Sequence, residues 1–315
     1  MTISAADPQT RAHSGEQRSE HSGRSNPEME FSYYPGCSLH STGLEYHLSV
    51  EAVFHALGAS LKELDDWNCC SAASAYSLNH ALALVIPGRN LAIAQQAGLE
   101  VVMPCTGCFI RHKTTEYELL HNPEAKALIE EAAGFQYSGA VKIRPVLDII
   151  ANQIGLEKAR SLVRMPLKGL KVVPYYGCLL VRPNRVTQFE NPENPTLLPR
   201  LLKLLGAEVQ DWSYATDCCG GDLGLVKAGV TNKLVTNLVK HAREAGAAAM
   251  VTMCPLCQVN LEMRQTGLAE RMPMFYFTEL MGLAFGLEET KSWWGKHLIN
   301  PAGILQSAGL VGKGK

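Results

Sequence analysis

All ten cysteines of the chain fall into two matched sets. The first comprises Cys37, the pair Cys69-Cys70 and Cys105-Thr106-Gly107-Cys108; the second comprises Cys178, the pair Cys218-Cys219 and Cys254-Pro255-Leu256-Cys257. Each reads Cys, a gap of thirty-one or thirty-nine residues, Cys-Cys, a gap of thirty-four, then Cys-x-x-Cys. From Cys69, Cys70, Cys105 and Cys108 the partner lies 149 positions on, but from Cys37 only 141, which places eight extra residues early in the second copy. The loop-like stretch Asn191-Pro192-Glu193-Asn194-Pro195 is the natural place for them.

Thiols in this pattern point to metal. In a reducing compartment stable disulfides are rare, and matched cysteine spacing favours ligation. Scattered cysteines read more simply as small buried apolar residues, but two quintets in register do not. One structural zinc is satisfied by four ligands in a tetrahedron, so five per set leaves one over. Adjacent cysteines project in different directions and suit a multi-metal object better, and thiolates are the usual ligands of iron–sulfur clusters. A cubane would again use four of the five; the fifth is then spare or bridges two irons. Zinc, and unliganded thiols, stay open on pattern alone.

The elements that must position these sulfurs alternate strand and helix. In the first half, strand 30–34 runs into Cys37, helix 44–57 follows, strand 61–64 delivers Cys69-Cys70, and a long helix of about 72–97 is broken at Pro87-Gly88. Strand 99–103 then ends at Cys105, a helix starts near Cys108 and runs to about Leu120, and 141–144 and 146–154 add a strand and a helix. The second half repeats the order with strand 171–176, helix 197–205, strand 208–211, helix 223–245, strand 248–253, a helix from Cys257, strand 274–277 and helix 278–285. Such alternation predicts parallel sheets covered on both faces. The fold expected is α/β: two pseudo-symmetric doubly wound domains, each with a small parallel sheet and a five-cysteine site at the strand ends, where open α/β sheets gather ligands. Cys70, Cys108, Cys219 and Cys257 are expected at helix N-termini, whose free N–H groups favour thiolate. Gly36, Gly177, Gly220 and Gly221 remove side chains beside the sulfurs, and serve turn geometry equally well.

The organisation expected is a disordered tail over 1–28, poor in large apolar side chains, cysteine-rich domains over 29–165 and 166–290, and a C-terminal extension over 291–315. With 29 basic and 30 acidic residues, formal charge is −1, so no basic footprint for nucleic acid appears. No apolar run reaches the ~18–20 residues of a membrane helix, and the first thirty residues lack a secretory signal core; the expectation is a cytoplasmic protein. Neither a phosphate loop nor a dinucleotide fingerprint is present, so flavin and NAD are not expected in this chain.

His40, Arg111, His112 and Lys113 lie just beyond Cys37 and Cys108, where they could meet an anionic substrate or supply a proton; each also reads as an ordinary helix-face residue. Tyr33, Tyr34, Tyr175 and Tyr176 precede the first cysteines and read as packing. Trp67 and Trp212 read as core. Met103 and Met253 precede the Cys-x-x-Cys motifs and offer thioethers; Trp293-Trp294 is either a docking edge or tail packing.

The forms Tyr175-Tyr176-Gly177-Cys178, Trp67-Asn68-Cys69-Cys70, Cys254-Pro255-Leu256-Cys257-Gln258-Val259-Asn260-Leu261 and Tyr276-Phe277-Thr278-Glu279-Leu280-Met281-Gly282-Leu283 resemble the cysteine-rich (CCG) repeat family to which the B-subunit of heterodisulfide reductase belongs. The likeness covers roughly Phe31 to Leu287. It implies a noncubane 4Fe-4S cluster on all five cysteines of each set: Cys37, Cys69, Cys70, Cys105 and Cys108, then Cys178, Cys218, Cys219, Cys254 and Cys257. It implies that the two clusters face each other and that a disulfide is cleaved, or thiols are oxidised, between them in one-electron steps. The partners implied are a cubane iron–sulfur subunit and a flavin subunit, corresponding to the C- and A-subunits of that family's complexes. Relatives of the repeat also serve in sulfur-oxidation, succinate or fumarate, and glycolate or lactate systems, so an electron relay that never touches substrate is the alternative. The sequence departs from the pattern at Ser71, where glycine is commoner, which puts equal geometry in the two halves in doubt. The tail and the segment from Lys291 have no counterpart in the resemblance.

Overall fold

A computed structural model describes residues 29–72, 78–224 and 226–312; the expected tail over 1–28 lies outside the described residues. Eight strands form two four-stranded sheets, β2-β1-β3-β4 and β6-β5-β7-β8, and every pairing is parallel. The strands are β1 (Met29–Tyr33), β2 (Ala59–Glu63), β3 (Val101–Met103), β4 (Ile143–Pro145), β5 (Lys171–Pro174), β6 (Glu208–Val209), β7 (Ala249–Thr252) and β8 (Met274–Tyr276). The same strand order in both halves is the duplication seen as architecture. Phe31, Val101, Val102, Val172, Val173, Met250 and Phe275 bury these short apolar strands in one core with the helices between them.

The principal helices are α1 (Leu44–Ala56), α2 (His80–Ala97), α3 (Thr106–His121), α4 (Pro123–Ala133), α5 (Leu197–Leu204), α6 (Ala228–Glu244), α7 (Pro255–Met263) and α8 (Phe277–Phe285). Three depart from the sequence expectation. α2 is continuous through Pro87; Asn79 caps its start by accepting from the Leu82 N–H, and the earlier part of the expected helix, 73–77, falls outside the described residues. α4 was not expected at all, although Asn122 accepts from the Ala125 N–H, Pro123 opens the helix and Gly134 closes it in left-handed geometry. α6 begins at Ala228 rather than 223, after a short 3-10 turn at Gly221–Leu223. After β4 the helical run Val146–Asp148 passes through a π-helical stretch, Ile149–Gly155, into Leu156–Ser161.

The inserted residues of the second half form the loop between a short helix, Asn184–Thr187, and α5. Arg182 ties it down, donating to the carbonyls of Thr216 and Pro192 and to the Glu193 carboxylate. Glu190 accepts from the Thr196 and Leu197 N–H groups at the start of α5.

The halves are joined through α1 and α8. Ser49 Oγ lies 2.7 Å from Thr278 Oγ1, and the rings of Tyr46 and Tyr276 stack in parallel at 4.1 Å, an arrangement worth about 0.5–1.5 kcal/mol beyond its buried area. The C-terminal segment packs on this joint. Trp293 is 1% exposed, and its ring fills the space above Gly282, where an added Cβ would lie 2.7 Å from it. Tail packing, not a docking edge, is therefore the role of Trp293 and Trp294. No helix among the described residues is long and apolar enough to cross a membrane.

Candidate metal centre

The strands deliver the sulfurs. Cys37 follows β1, Cys69-Cys70 follow β2, and Cys105 follows β3 to become the N-cap of α3, with Cys108 in its first turn. Cys178, Cys218-Cys219 and Cys254 follow β5, β6 and β7 in the same way, and Cys254 caps α7 with Cys257 in its first turn. Cys219, expected at a helix start, instead precedes the 3-10 turn. For Cys70 the next described helix residues begin eight positions later.

All ten cysteines are free, and their sulfurs form an almost unbroken line through both halves. Cys37 Sγ lies 3.7 Å from Cys69 Sγ, and Cys70 Sγ 3.2 Å from Cys108 Sγ. Cys69 interacts with Cys70, and Cys108 with Cys105, each shifting the other's acidity. Cys105 faces Cys254 of the other half, and each shifts the acidity of the other. Beyond it Cys254 contacts Cys257, whose sulfur lies 3.6 Å from that of Cys219; Cys218 pairs with Cys178. The crossing point is closed, with Cys105 6% and Cys254 1% exposed, whereas Cys37, Cys69 and Cys218 reach solvent.

The two halves build this line with equivalent bonds. Tyr34 Oη donates to the carbonyl of Asn68 at 2.8 Å and Tyr175 Oη to that of Asp217 at 2.7 Å, each fixing the peptide just ahead of a Cys-Cys pair. The Ser71 N–H faces Cys69 Sγ at 3.5 Å and the Gly220 N–H faces Cys218 Sγ at 3.2 Å. Ser71 adopts φ 56° and Gly220 φ 78°, so the serine keeps the left-handed turn that glycine takes without strain. The departure at Ser71 therefore leaves the local geometry equal.

Hydrogen bonding sets the acidity of these thiols. Cys69 is pulled down to about 2, first by the sulfhydryl of Cys37 and then by that of Cys70, with the Ser71 N–H adding and burial opposing. Cys218 is lowered to about 6 by Cys178, against burial, with the Gly220 N–H helping. Cys37 and Cys178 move up in consequence. The sulfurs at the head of each Cys-Cys pair are thus readily ionised, as a metal ligand must be.

A multi-iron group fits this donor set. Each set supplies five sulfurs, one more than a tetrahedral ion takes, with neighbours 3.2 to 3.7 Å apart. Side chains are also cut back where the loops close on the sulfurs. A Cβ on Gly36 would lie 2.9 Å from Cys108 Sγ, and one on Gly177 would lie 3.2 Å from Cys257 Sγ. The same cradle occurs in both halves.

The other sequence candidates have mixed fates. His112, fully buried on α3, has an Nδ1 2.8 Å from the Cys108 carbonyl and an Nε2 3.2 Å from the Asn90 amide. Burial lowers it to about 4, so it is a neutral ring that donates through Nδ1 and holds the peptide of Cys108. Asn90 in turn exchanges two hydrogen bonds with the Asn68 backbone; it went unnoticed in the sequence, where a lone asparagine in an apolar helix carries no signal. Arg111 is buried and acts across the joint on Asp222, whose carboxyl burial raises and Arg111 restrains. Lys113 pairs with Glu116. His40 stands at the surface, stacked on Trp67 at 5.7 Å and 3.2 Å from Glu63. Trp67 and Trp212 are half-buried at the core's edge, and both donate through Nε1, to Glu63 and to the Pro174 carbonyl. Tyr33, Tyr34, Tyr175 and Tyr176 are buried phenols held far above their usual range, chiefly by burial.

Fold and site define a duplicated α/β protein whose two cysteine quintets meet between its halves. The family model described as a cysteine-rich domain, CCG, matches residues 31–111 and again 172–262. The chain belongs to this CCG cysteine-rich domain family and carries the domain twice. It is 32% identical to the membrane anchor component of the 8-methylmenaquinol:fumarate reductase of Wolinella succinogenes, over 82% of this chain and 93% of that one. It is 27% identical to the B-subunit of a CoB-CoM heterodisulfide reductase of Methanosarcina acetivorans, over 80% and 85%. It is 26% identical to a protein of Archaeoglobus profundus described as like the heterodisulfide reductase B-subunit, over 84% and 93%. Among solved structures, a hypothetical protein from Helicobacter pylori matches with a TM-score of 0.65 at 11% identity, over 85% of this chain and 51% of that one. The chain thus spans about half of that structure, and the likeness is one of fold.

Proposed function

We propose that this chain is the iron–sulfur component of a multi-subunit oxidoreductase of the heterodisulfide reductase type, reducing a disulfide or running the reverse thiol oxidation. Cys37, Cys69, Cys70, Cys105 and Cys108 hold one 4Fe-4S cluster and Cys178, Cys218, Cys219, Cys254 and Cys257 the other, both of the noncubane kind that uses all five thiolates. The observation that carries this reading is the interaction of Cys105 with Cys254 across the joint, both nearly fully buried, which supports a single site shared by the two quintets. When bound, such clusters supply electrons one at a time, and a pair of them serves a two-electron bond scission. The chain's own residues place the sulfurs, exclude water at the crossing point and leave Cys37, Cys69 and Cys218 accessible. Electrons enter from a partner carrying cubane clusters and, behind it, a flavin protein. The organisation into a first domain over 29–165, a second over 166–290 and an extension from 291 goes with this reading, as does a cytoplasmic location.

A second reading, a relay whose clusters pass electrons without touching substrate, is favoured by the 32% identity to a component of a fumarate reductase. Anaerobic loading followed by iron and sulfide assay is expected to give about eight irons per chain, four for each cluster. Stoichiometric zinc without sulfide would refute the cluster assignment. A disulfide that perturbs the cluster EPR signal separates catalysis from relay; silence across a panel of disulfides supports the relay.

A further inference from the structure

Disulfide reduction consumes protons, and among the described side chains at the cysteine site His112 is locked in its bonds to Cys108 and Asn90, while the Asp222 carboxyl, raised by burial, is restrained by Arg111. A titratable cluster lies instead on one flank of the joint. Here a groove of about 320 Å³ is lined by Ser41, Thr42, Glu45, Glu262, Lys296 and His297 among others. Behind it the His297 ring bridges two carboxylates, Nδ1 to Glu262 at 3.1 Å and Nε2 to Glu279 at 2.9 Å, with all three side chains 2% exposed or less. The remaining oxygen of Glu262 accepts from the Leu298 and Ile299 N–H groups, and that of Glu279 from the Tyr276 N–H.

Charge counting decides what Glu45 must do. Nε2 of His297 faces Glu279, and Nδ1 faces both Glu262 at 3.1 Å and the Gln258 side-chain amide at 3.0 Å; burial opposes charge on the ring, but Glu279 and Glu262 outweigh that burial and lift the ring to about 10. Glu262 and Glu279 set two carboxyl groups against that one ring, with Lys296 the further cation at the groove. Glu45, 3% exposed in the first turn of α1, is a third carboxyl beside them. Burial first, and the negative charge of Glu279 and Glu262 next, raise it to about 7 against the pull of His297. The groups facing it are Glu262 from α7, Tyr276 and Glu279 from β8 and α8, and Lys296 and His297 from the C-terminal segment.

Between this cluster and the sulfurs stands Tyr276. Its hydroxyl is fully buried and has no hydrogen-bond partner among the described residues. It sits at the seam where Gly43 meets Pro255, since a Cβ on Gly43 would lie 3.4 Å from it and 3.1 Å from Pro255 Cβ. Both Glu45 and Cys254 act on it electrostatically. Its ring stacks on Tyr46, whose hydroxyl donates to the carbonyl of Met253, one residue before Cys254. A buried hydroxyl with an empty donor and acceptor, within the electrostatic reach of both a carboxyl and the sulfur site, has the capacity to take a proton from one and give one to the other.

We propose that Glu45, set by the buried Glu262, His297 and Glu279, is the proton-holding residue for the cysteine site, loaded from the groove and discharged through the Tyr276 hydroxyl. This rests on the disulfide reading for its use. One S–S bond breaks, two S–H bonds form, two electrons come from a one-electron donor such as reduced viologen, and the two protons pass one at a time through Glu45, which reloads from solvent.

The test is a redox titration of the cluster EPR signal in the loaded chain, on both sides of pH 7, for wild type, Glu45→Gln and Tyr276→Phe. In wild type the midpoint potential is expected to be level below about pH 7 and to fall above it, because reduction there draws a proton. Glu45→Gln is expected to be level throughout. Tyr276→Phe keeps the wild-type slope, since the equilibrium is unchanged, but slows disulfide reduction tenfold or more. A Glu45→Gln chain whose potential falls with pH as wild type does overturns the proposal, as does a wild-type potential that ignores pH. Where Glu45→Gln fails to load iron, Glu45→Asp carries the same reading, a slope kept but displaced in pH; an undisplaced one counts against it. A pH-dependent potential that needs Glu45, in a chain that turns over no disulfide, sustains the proton proposal and removes the disulfide reading alone.

Discussion

Two residues beside the sulfurs carry opposite backbone costs. Ser71 sits at φ 56° where its counterpart Gly220 sits at φ 78°, and a non-glycine residue in that region is strained by roughly 1–2 kcal/mol. Ser71→Gly is therefore expected to raise the stability of the chain by about 1 kcal/mol without loss of iron. Gly36→Ala moves the other way: φ is +72° and the new Cβ would meet Cys108 Sγ at 2.9 Å, so iron at the first site should be lost while the second loads. Iron content and thermal midpoint of the two variants, measured side by side, check both; equal iron in Gly36→Ala would show that the cradle has slack. The sulfurs themselves were legible in the sequence because a 149-residue offset needs no folding to be seen. His297 was not legible: its carboxylate partners are 35 and 18 residues away in the chain, and nothing in its local sequence marks it.

The C-terminal segment is an element that does more than extend the chain. It brings one imidazole between two buried carboxylates, and removing one member of such a set leaves uncompensated charge, at a cost of about 3–5 kcal/mol. His297→Ala is expected to destabilise by that order. The pH dependence follows from the direction of the shift. His297 is raised from 6.5 to about 10, so its contribution is complete below pH 6.5 and is lost as pH rises toward 10. Glu45, raised from 4.5 to about 7, weakens the fold as it ionises, between pH 4.5 and 7. Wild type should lose stability across both windows, and His297→Ala should lack the alkaline one; urea midpoints at stepped pH would show it, and an alkaline loss of unchanged size in the variant would contradict it. Most of the sheet and helix order was readable, because β3, β5 and β7 are short, mainly apolar runs and each, like β1, is followed within a few residues by a cysteine. The helix Pro123–Ala133 was missed despite a full set of caps, since its polar surface leaves only Ala125 and Ile129 buried and gives little apolar stripe to detect.

At the scale of the molecule, the function proposed for the duplication requires that the copies face each other. The seam is held by Tyr46 on Tyr276, Ser49 on Thr278 and the segment from Thr290 onward, and it brings Cys105 against Cys254 with water excluded. Were the halves independent, each loaded quintet would give the spectrum it gives alone. With Cys105 and Cys254 interacting across the joint, the reduced sites should couple magnetically. Replacing the proposed ligands Cys178 and Cys218 with serine is expected to empty the second site and leave the first with a narrower, uncoupled EPR signal. Replacing Cys37 and Cys69 should do the reverse. The wild-type spectrum, fully reduced, must then differ from the sum of the two variants. A spectrum equal to that sum would mean that the sites act separately, and a relay through either one alone would replace the shared two-electron site. Interface variants distinguish contact from coincidence: Ser49→Leu, which overfills the buried seam without touching a ligand, should weaken the coupling while iron content holds, because what it disturbs is the distance between the halves and not the sulfur set within each.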